Sequence, residues 1–424
     1  MKQYYPRIAD EILEFKLESS GAVIIIGPKW CGKSTTALQK ANSVVYMQDS
    51  ENCENNKALA KNAPSLFLSG KTPRLIDEWQ IIPFIKDAIR FEIDKRDEFG
   101  QFILTGSATP ISEDPNSHSG IGRITTMIMR TMSLYESKDS NGSISLKSIF
   151  DGLEITPAIS NVDLLRYAFL ICRGGWPKSV GLSDRIALQL AINYYDGLIE
   201  EDISKVDGIR RDRDRASLIL RAYSRNIGSQ ASFATLKNDL EVNYGGTIDE
   251  DTIVSYVNAL KKLFVIEELR AWCPYLRSKT VIRTSNTRQL IDPSIGCAAL
   301  DIGPQDLIND LNTMGFYFES MAIRDLRIYA EKLGGNVYHY RDSKGREVDA
   351  VIHLRNGDYG LVEIKMCDNE KIEESCRKLI KFVNDIDDSK MRKPKFLMVI
   401  TATEYAYKRK EDGIYIVPLA CLKD

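Results

Sequence analysis

Short apolar runs alternate with amphipathic stretches over the first 150 residues of the chain. Ala22–Ile26 is a run of mostly β-branched residues, residues 74–80 begin with a second apolar run, and residues 101–107 contain a third. Runs of this length and composition are typical of buried strands, and stretches with helical spacing separate them. The pattern predicts an α/β layer fold built on a parallel sheet.

The pattern changes twice further along the chain. Residues 137–145 are rich in Ser, Asn, Asp and Gly, which predicts an exposed turn or linker. Helical spacing dominates from about residue 150 to 300, and a second break follows at residues 300–304. From residue 316 onward the predicted order is helix, three strands, helix and two strands. We therefore expect three domains, at residues 1–150, 151–300 and 301–424.

Composition narrows the class of protein. The 424 residues carry a formal net charge of -2 and are 43% hydrophobic, as expected for a soluble chain that does not bind polyanions over its whole surface. The longest apolar run is far shorter than the ~20 residues of a membrane span, and the amino terminus lacks the apolar stretch of a signal peptide. We expect a cytoplasmic protein with no membrane partner. The eight cysteines form no CxxC pair, which argues against a zinc site.

A glycine-rich loop follows the first apolar run directly. It matches G-x-x-x-x-G-K-[ST], and a helical stretch comes after it. In this context backbone N–H groups and the helix amino end face phosphate oxygens, the lysine reaches the β- and γ-phosphates, and the serine hydroxyl is a ligand for Mg²⁺. The loop predicts that ATP and Mg²⁺ are bound by Gly27, Pro28, Lys29, Trp30, Cys31, Gly32, Lys33, Ser34 and Thr35.

Two adjacent carboxylates end the second apolar run. Asp77 and Glu78 follow Leu75 and Ile76, about 45 residues after the glycine-rich loop. Alone this pattern would indicate an exposed acidic turn. Following a phosphate-binding loop, it predicts that Asp77 holds Mg²⁺ through water and that Glu78 orients or deprotonates the attacking water.

These segments together resemble AAA-type P-loop ATPases. The resemblance is to an uncharacterised prokaryotic group whose carboxyl-terminal half is a domain of unknown function of the DUF4143 type. It covers roughly residues 15 to 300 and is carried by residues 27–34, 75–78, 103–107, 118–123 and 174–177.

The resemblance implies further roles at the nucleotide. Ser107 would be the sensor that contacts the γ-phosphate or the attacking water. Arg123 or Arg130 would be an arginine finger, which stabilises transition-state charge across a subunit boundary and so implies a homo-oligomer. A surface salt bridge is the alternative for either arginine.

The middle of the chain has the order helix, helix, strand, basic loop and strand. This order is that of a winged helix, and residues 261–288 carry a local net charge of +5 from seven basic and two acidic residues. The basic residues are Lys261, Lys262, Arg270, Arg277, Lys279, Arg283 and Arg288. A basic patch of this kind suits a DNA backbone, and a packing module between domains is the alternative.

A second candidate site lies near the carboxyl end of the chain. Asp349 lies inside one predicted strand, while Glu363 and Lys365 lie two positions apart on the next and so share one face. Glu319 is an acid among apolar neighbours on the preceding helix. Two carboxylates that hold Mg²⁺ beside a lysine are suited to phosphodiester hydrolysis.

This arrangement resembles the PD-(D/E)xK nuclease superfamily over roughly residues 315 to 424. The resemblance implies a restriction-endonuclease-like α/β fold in which Glu319 is the helix acid, Asp349 and Glu363 are the metal ligands and Lys365 is the catalytic lysine. Charged strand ends in a purely structural domain are the alternative.

The sequence therefore predicts a P-loop NTPase of the AAA type, a helical and winged-helix domain, and a nuclease-like α/β domain. The expected activity is ATP hydrolysis coupled to DNA binding or to Mg²⁺-dependent DNA cleavage. The alternatives are a nucleotide-gated switch or scaffold, whose last domain binds nucleic acid or protein without cleaving, and a nucleotide-regulated toxin or defence nuclease.

Overall fold

The chain was analysed in a computed structural model, which forms two compact units. The structure describes residues 4–106, 121–204, 206–245, 248–273, 285–342, 345–386 and 391–424. The first unit comprises Met1–Thr131 with the short segments Lys205–Ile209 and Lys262–Phe264, and the second unit comprises Met132–Ser204, Arg210–Lys261 and Val265–Asp424. In the described part of the chain, no helix is both long and apolar enough to cross a membrane.

The first unit is a five-stranded sheet with helices on both faces. Its strands are β1 (Ala22–Ile26), β2 (Ser43–Tyr46), β3 (Arg74–Asp77), β4 (Phe102–Gly106) and β5 (Ile124–Ile128). Its helices are α1 (Ile8–Leu17), α2 (Lys33–Leu38), α3 (Cys53–Asn62), α4 (Pro64–Phe67) and α5 (Ile85–Arg96).

All neighbouring strands of this sheet are parallel, in the order β2-β3-β4-β1-β5. Side chains of β1 alternate between two cores, so that Val23 packs with α1 and α2 while Ile24 packs with the layer containing α4 and α5. The predicted parallel α/β fold is confirmed. Because every strand runs the same way, β1, β3 and β4 end at one edge, and this edge carries the glycine-rich loop and Asp77.

The second unit contains the remaining helices and two further sheets. Its helices are α6 (Leu146–Phe150), α7 (Leu164–Arg173), α8 (Asp184–Gly197), α9 (Arg213–Arg225), α10 (Phe233–Tyr244), α11 (Glu250–Lys262), α12 (Pro293–Leu300), α13 (Pro304–Asn309), α14 (Leu311–Lys332) and α15 (Asn369–Asn384). Its strands are β6 (Ile144–Ser145), β7 (Ala158–Ile159), β8 (Gly335–Arg341), β9 (Glu347–Leu354), β10 (Tyr359–Ile364), β11 (Phe396–Thr401), β12 (Tyr405–Lys408), β13 (Tyr415–Pro418) and β14 (Leu422–Lys423).

A seven-stranded sheet in the order β7-β12-β13-β11-β10-β9-β8 forms the centre of the carboxyl-terminal part. The pairs β8–β9 and β9–β10 are antiparallel, whereas β10–β11 and β11–β13 are parallel. Helix α15 packs Leu379 and Phe382 onto Leu361 and Val399 of this sheet. The order α14, β8, β9, β10, α15, β11 and β13 follows the predicted pattern of helices and strands, with β12 as an added edge hairpin.

Residues from the middle of the chain pair with both sides of this sheet. At one side β7 pairs with β12, and at the other Ala271 forms a parallel bridge with His339 of β8. Residues on both sides of positions 150 and 300 therefore lie in the second unit. The predicted domain boundaries at these two positions stay a prediction.

The prediction of an exposed turn or linker at residues 137–145 holds for Lys138, Asn141 and Ser143, which are exposed, but not for the whole segment. Ser140 and Ile144 are buried, and Ile144–Ser145 pairs in parallel with Leu422–Lys423. The Ser140 hydroxyl also donates a hydrogen bond of 2.7 Å to the Leu422 carbonyl. The polar composition of this segment reflects satisfied hydrogen bonds in the packed interior, because buried polar groups need partners.

The basic count of residues 261–288 overstates the free positive charge there. Lys261 and Arg288 both pair with Glu268, and Lys262 lies 3.2 Å from Asp207. Arg277, Lys279 and Arg283 lie outside the described residues, and Arg270 is exposed. Helices α10 and α11 are followed by antiparallel bridges between residues 266–269 and 287–290, so the winged-helix assignment stays a prediction.

Candidate functional site

Two glycines shape the loop between β1 and α2. Gly27 has φ +151°, and a Cβ atom there would lie 2.1 Å from the Met129 carbonyl oxygen. Gly32 precedes α2 with φ +104°, in the left-handed region. Any side chain at Gly27 would clash with backbone, so this position requires glycine for steric as well as conformational reasons.

Lys33, the first residue of α2, lies folded beneath the loop. It is 6% exposed, and its Nζ atom donates hydrogen bonds of 2.9 Å to the Gly27 carbonyl and 2.7 Å to the Pro28 carbonyl. The ammonium group is therefore held at the loop by uncharged acceptors, and no described carboxylate forms an ion pair with it. A phosphate group would supply the compensating negative charge. Trp30, by contrast, is 42% exposed at φ +65°.

The hydroxyls of Ser34 and Thr105 meet at one oxygen of Asp77. Each donates a hydrogen bond of 2.5 Å to Asp77 Oδ1. The predicted residues Ser34 and Asp77 are thus brought together, while Thr105 was not predicted. Parallel pairing places Thr105 of β4 beside Asp77 of β3, a register that sequence spacing does not reveal. Carboxylate and hydroxyl oxygens are ligands that Mg²⁺ prefers, so this donor set fits the ion.

Glu78 directly follows β3 in an unusual backbone conformation. Its φ is +57°, in the left-handed region, and the Gln80 side-chain amide donates a hydrogen bond to its carboxylate. A Cβ atom on Gly106 would lie 2.7 Å from Gln80 Oε1, so the glycine that ends β4 leaves room for this side chain. Ser107, the predicted sensor, lies outside the described residues.

The two candidate arginine fingers lie at opposite ends of the same strand, β5. Arg123 precedes β5, its carbonyl accepts from the Ala22 amide at the start of β1, and its guanidinium lies 2.6 Å from Asp94. Arg130 follows β5 and so lies at the edge of the glycine-rich loop. Arg123 is therefore remote from the phosphate edge of its own sheet. The arginine-finger assignment stays a prediction.

The second candidate site places a lysine between two carboxylates. Lys365 Nζ lies 2.8 Å from Asp349 Oδ2 and 3.3 Å from Glu363 Oε2. The Ile364 amide donates a further hydrogen bond of 2.8 Å to Asp349 Oδ2. Antiparallel pairing of β9 with β10 brings these positions together, as the sequence spacing predicted.

Burial and mutual repulsion govern the protonation of this cluster. Burial, followed by the charge of Asp349, raises the pKa of Glu363 to about 8. The same two causes raise the pKa of Glu319 well above its usual range. Burial alone would lower the pKa of Lys365, but the two carboxylates outweigh burial and raise it. The cluster therefore contains more carboxyl groups than its single ammonium group can neutralise.

The donor set of this cluster suits a hard cation. Mg²⁺ is commonly held by one or two carboxylates and completes its coordination with water and substrate phosphate, so Asp349 and Glu363 would be sufficient protein ligands. The described residues contain no group of three or more His, Cys, Asp or Glu side chains placed to hold a metal ion. Glu319 is not part of such a group. It lies near enough to Asp349 and Glu363 for their charges to add to the effect of burial in raising its pKa.

Comparisons with known families cover most of the chain. Residues 19–138 match the model of an AAA domain, residues 164–306 match a domain of unknown function termed DUF8612, and residues 314–422 match a domain of unknown function termed DUF4143. Among solved structures, the chain is similar to the Walker-type ATPase PABY2304 of Pyrococcus abyssi, with 17% identity, a TM-score of 0.41, and coverage of 70% of this chain and 96% of that one. No curated protein matches the sequence.

The chain thus has an AAA-type P-loop ATPase domain at its amino end and a DUF4143 domain at its carboxyl end, as the sequence predicted. None of the three matching family models is described as a nuclease. The separate family match over residues 164–306 was not predicted, because helical spacing alone does not distinguish one helical domain from another.

Proposed function

We propose that this chain hydrolyses ATP at the edge formed by β1, β3 and β4, with Mg²⁺, and couples hydrolysis to DNA binding or cleavage by its carboxyl-terminal part. The observation that carries the first half is the contact of Ser34 with Asp77. It joins the two motifs, which lie 43 positions apart in sequence, beside a buried lysine. The AAA domain match supports the same activity.

The residues at this edge have separate roles in phosphoryl transfer. Lys33 and the loop amides bind the β- and γ-phosphates of the substrate, and Ser34 and Asp77 would provide the oxygens that hold Mg²⁺. When bound, Mg²⁺ neutralises charge on the phosphates. Glu78 accepts the proton of the attacking water, and the hydrogen bond from Gln80 orients its carboxylate.

Phosphate release from ATP tests this proposal. Lys33→Ala should abolish both nucleotide binding and turnover, and Glu78→Gln should abolish turnover while it keeps the affinity for ATP within a few-fold. Lys40→Ala is a matched control, because Lys40 makes a surface pair with Glu14. Undiminished turnover in Lys33→Ala would contradict the proposal.

DNA cleavage at Asp349, Glu363 and Lys365 is the second part of the proposal. It is supported by the position of Lys365 between two carboxylates on neighbouring strands. When bound there, Mg²⁺ would polarise a phosphodiester, while Lys365 would neutralise charge that develops on it. The alternative is a nucleotide-gated switch or scaffold whose carboxyl-terminal part binds nucleic acid or protein without cleaving it.

Nuclease assays distinguish the two. Plasmid and single-stranded DNA are incubated with the full chain and Mg²⁺ or Mn²⁺, with and without ATP. Cleavage that Asp349→Ala abolishes, and that Glu374→Ala leaves intact, supports the nuclease; Glu374 is an exposed acid paired with Lys378. DNA retention without cleavage in a gel-shift assay supports the alternative. If the full chain neither cleaves nor retains DNA, the proposed role in DNA handling is contradicted.

A further inference from the structure

A cavity of about 530 Å³ lies at the end of β9 and the start of β10. Tyr359 of β10 pairs with His353 of β9 there, whereas Asp349 lies four positions earlier on β9, about 13 Å along the strand. The cavity is therefore separate from the carboxylate cluster. Its lining residues include Trp272, Tyr338, His353, Asn356, Tyr359 and Arg392.

Three aromatic rings form one wall of this cavity. The Trp272 and Tyr359 ring centroids are 4.9 Å apart, and the His353 ring lies 6.2 Å from that of Trp272 and 6.5 Å from that of Tyr359. The His353 and Tyr359 rings are stacked, with an angle of 26° between their planes. Trp272 and Tyr359 are buried, whereas His353 is partly exposed to the cavity. Such a surface is suited to stacking against a flat ring.

Two polar groups that line the cavity are available to a ligand. The indole N–H of Trp272 makes no hydrogen bond with any residue that the structure describes, and it is not among the buried atoms. A ligand in the cavity could therefore accept this N–H. The imidazole of His353 likewise has no hydrogen-bond partner among the described residues, and burial lowers its pKa, which favours the uncharged ring.

One cation, Arg392, is among the described residues that line the cavity. Arg392 is exposed, and its guanidinium forms no ion pair within the described part of the chain, while its carbonyl accepts a hydrogen bond of 2.6 Å from the Tyr359 hydroxyl. This bond fixes the arginine backbone at the mouth of the cavity. Lys395, three positions on, lies 3.7 Å from Asp358, which compensates it. The uncompensated cation is therefore Arg392, and a guanidinium binds phosphate in a two-point contact.

We propose that this cavity binds a nucleotide through its base and one phosphate. The base stacks on His353 and accepts the Trp272 N–H, and the phosphate pairs with Arg392. A cavity of this size accommodates a single nucleotide. The ligand is either a free mononucleotide or the terminal nucleotide of a single strand, which share this chemistry. The site is independent of the P-loop, because it needs neither Lys33 nor a triphosphate.

Calorimetric titration of the full chain tests the proposal. The probes are AMP, dTMP and a six-residue oligothymidylate with a 5′ phosphate, each without Mg²⁺. Arg392→Gln should weaken the affinity by at least about tenfold, the value of one charge-assisted hydrogen bond. Trp272→Phe, which keeps a ring and removes the N–H, should weaken it by several-fold. Lys378→Gln, an exposed substitution on α15, is the control and should change nothing.

The outcomes separate the two ligand sources. Equal affinity for the mononucleotides and the oligonucleotide identifies a free nucleotide, and a preference of tenfold or more for the oligonucleotide identifies a strand end. No heat with any probe, or binding that both Arg392→Gln and Trp272→Phe leave unchanged, would overturn the proposal. Repeating the titration with Lys33→Ala distinguishes this site from the P-loop, since binding at the cavity should persist in that variant.

Discussion

Arg7 donates a hydrogen bond of 2.8 Å from its guanidinium to the carbonyl oxygen of Cys31, in the middle of the phosphate-binding loop. A second bond of 2.9 Å runs from the same guanidinium to the carbonyl of Arg130, just beyond β5. Arg7 is only 6% exposed. The residue that precedes α1 therefore joins the loop to the segment that follows an edge strand, and it constrains the position of the loop.

We expect Arg7→Met to weaken ATP binding by about three- to tenfold, because it removes two charge-assisted hydrogen bonds that position the loop. The melting temperature should fall as well. Equilibrium titration with ATP, beside a thermal melt, measures both effects. Lys40→Met is the control, since Lys40 makes a solvent-accessible pair with Glu14 that contributes little to stability. A lower melting temperature with unchanged ATP affinity would limit Arg7 to a structural role.

Thr105→Val should raise the Mg²⁺ concentration needed for half-maximal ATP hydrolysis by several-fold. The substitution keeps the shape of the buried side chain and removes the hydroxyl that donates to Asp77 Oδ1. Asp77 is then less firmly oriented beside Ser34. Thr105→Ser, which restores the hydroxyl, should recover the normal Mg²⁺ dependence in the same phosphate-release assay. Identical Mg²⁺ titrations for both variants would show that Thr105 does not position Asp77.

Arg324→Met should lower the free energy of unfolding by about 3–5 kcal/mol, the usual cost of leaving a buried charge unpaired. Arg324 lies 3.0 Å from Asp292 and 2.8 Å from Asp325, and all three side chains are at most 2% exposed. Urea unfolding measures the loss. Lys147→Met, which breaks an exposed pair with Asp151, should cost well under 1 kcal/mol. Similar losses in the two variants would contradict the importance of this buried network.

His339 should make stability depend on pH in the acid range. Burial lowers its pKa to about 4, while its Nε2 atom lies 3.1 Å from the Ser285 carbonyl. The unfolded histidine has a pKa of about 6.5, so between these values the unfolded state binds more protons and stability falls as the pH falls. This group should account for a loss of about 2 kcal/mol from pH 7 to pH 5.

Urea unfolding of wild type and His339→Gln at pH 7 and pH 5 measures this contribution. The variant should lose less stability over the interval than the wild type, by about 2 kcal/mol. Parallel losses in the two proteins would show that His339 does not carry the dependence. From pH 7 to pH 9 the two should run in parallel, because the histidine is neutral in both states.

Local sequence signals were sufficient for much of the fold. The β-branched run of Ala22–Ile26, the glycine-rich loop and the strands around Asp349 and Glu363 were predictable, because strand propensity and motif spacing act over a few residues. The bonds of Arg7 and Thr105 were not, since each depends on which strands become neighbours in the folded sheet.

A charge count cannot show which cations are paired, for the same reason. Glu268 pairs with both Lys261 and Arg288, so part of the positive charge of this segment is compensated where the structure describes it. The burial of Ser140 within residues 137–145 was not predictable, because its hydrogen-bond partner, Leu422, lies almost 300 positions away in sequence.

The pairing of β7 with β12 and of Ala271 with His339 has a practical consequence for dividing the chain. A fragment that starts near residue 301 would lose both of these neighbours. Backbone groups of β12 and of β8 would then be unpaired, which promotes edge-to-edge aggregation. For expression or crystallisation, the useful cut is therefore not at the start of the DUF4143 match. A fragment that begins near Met132 would keep both margins protected.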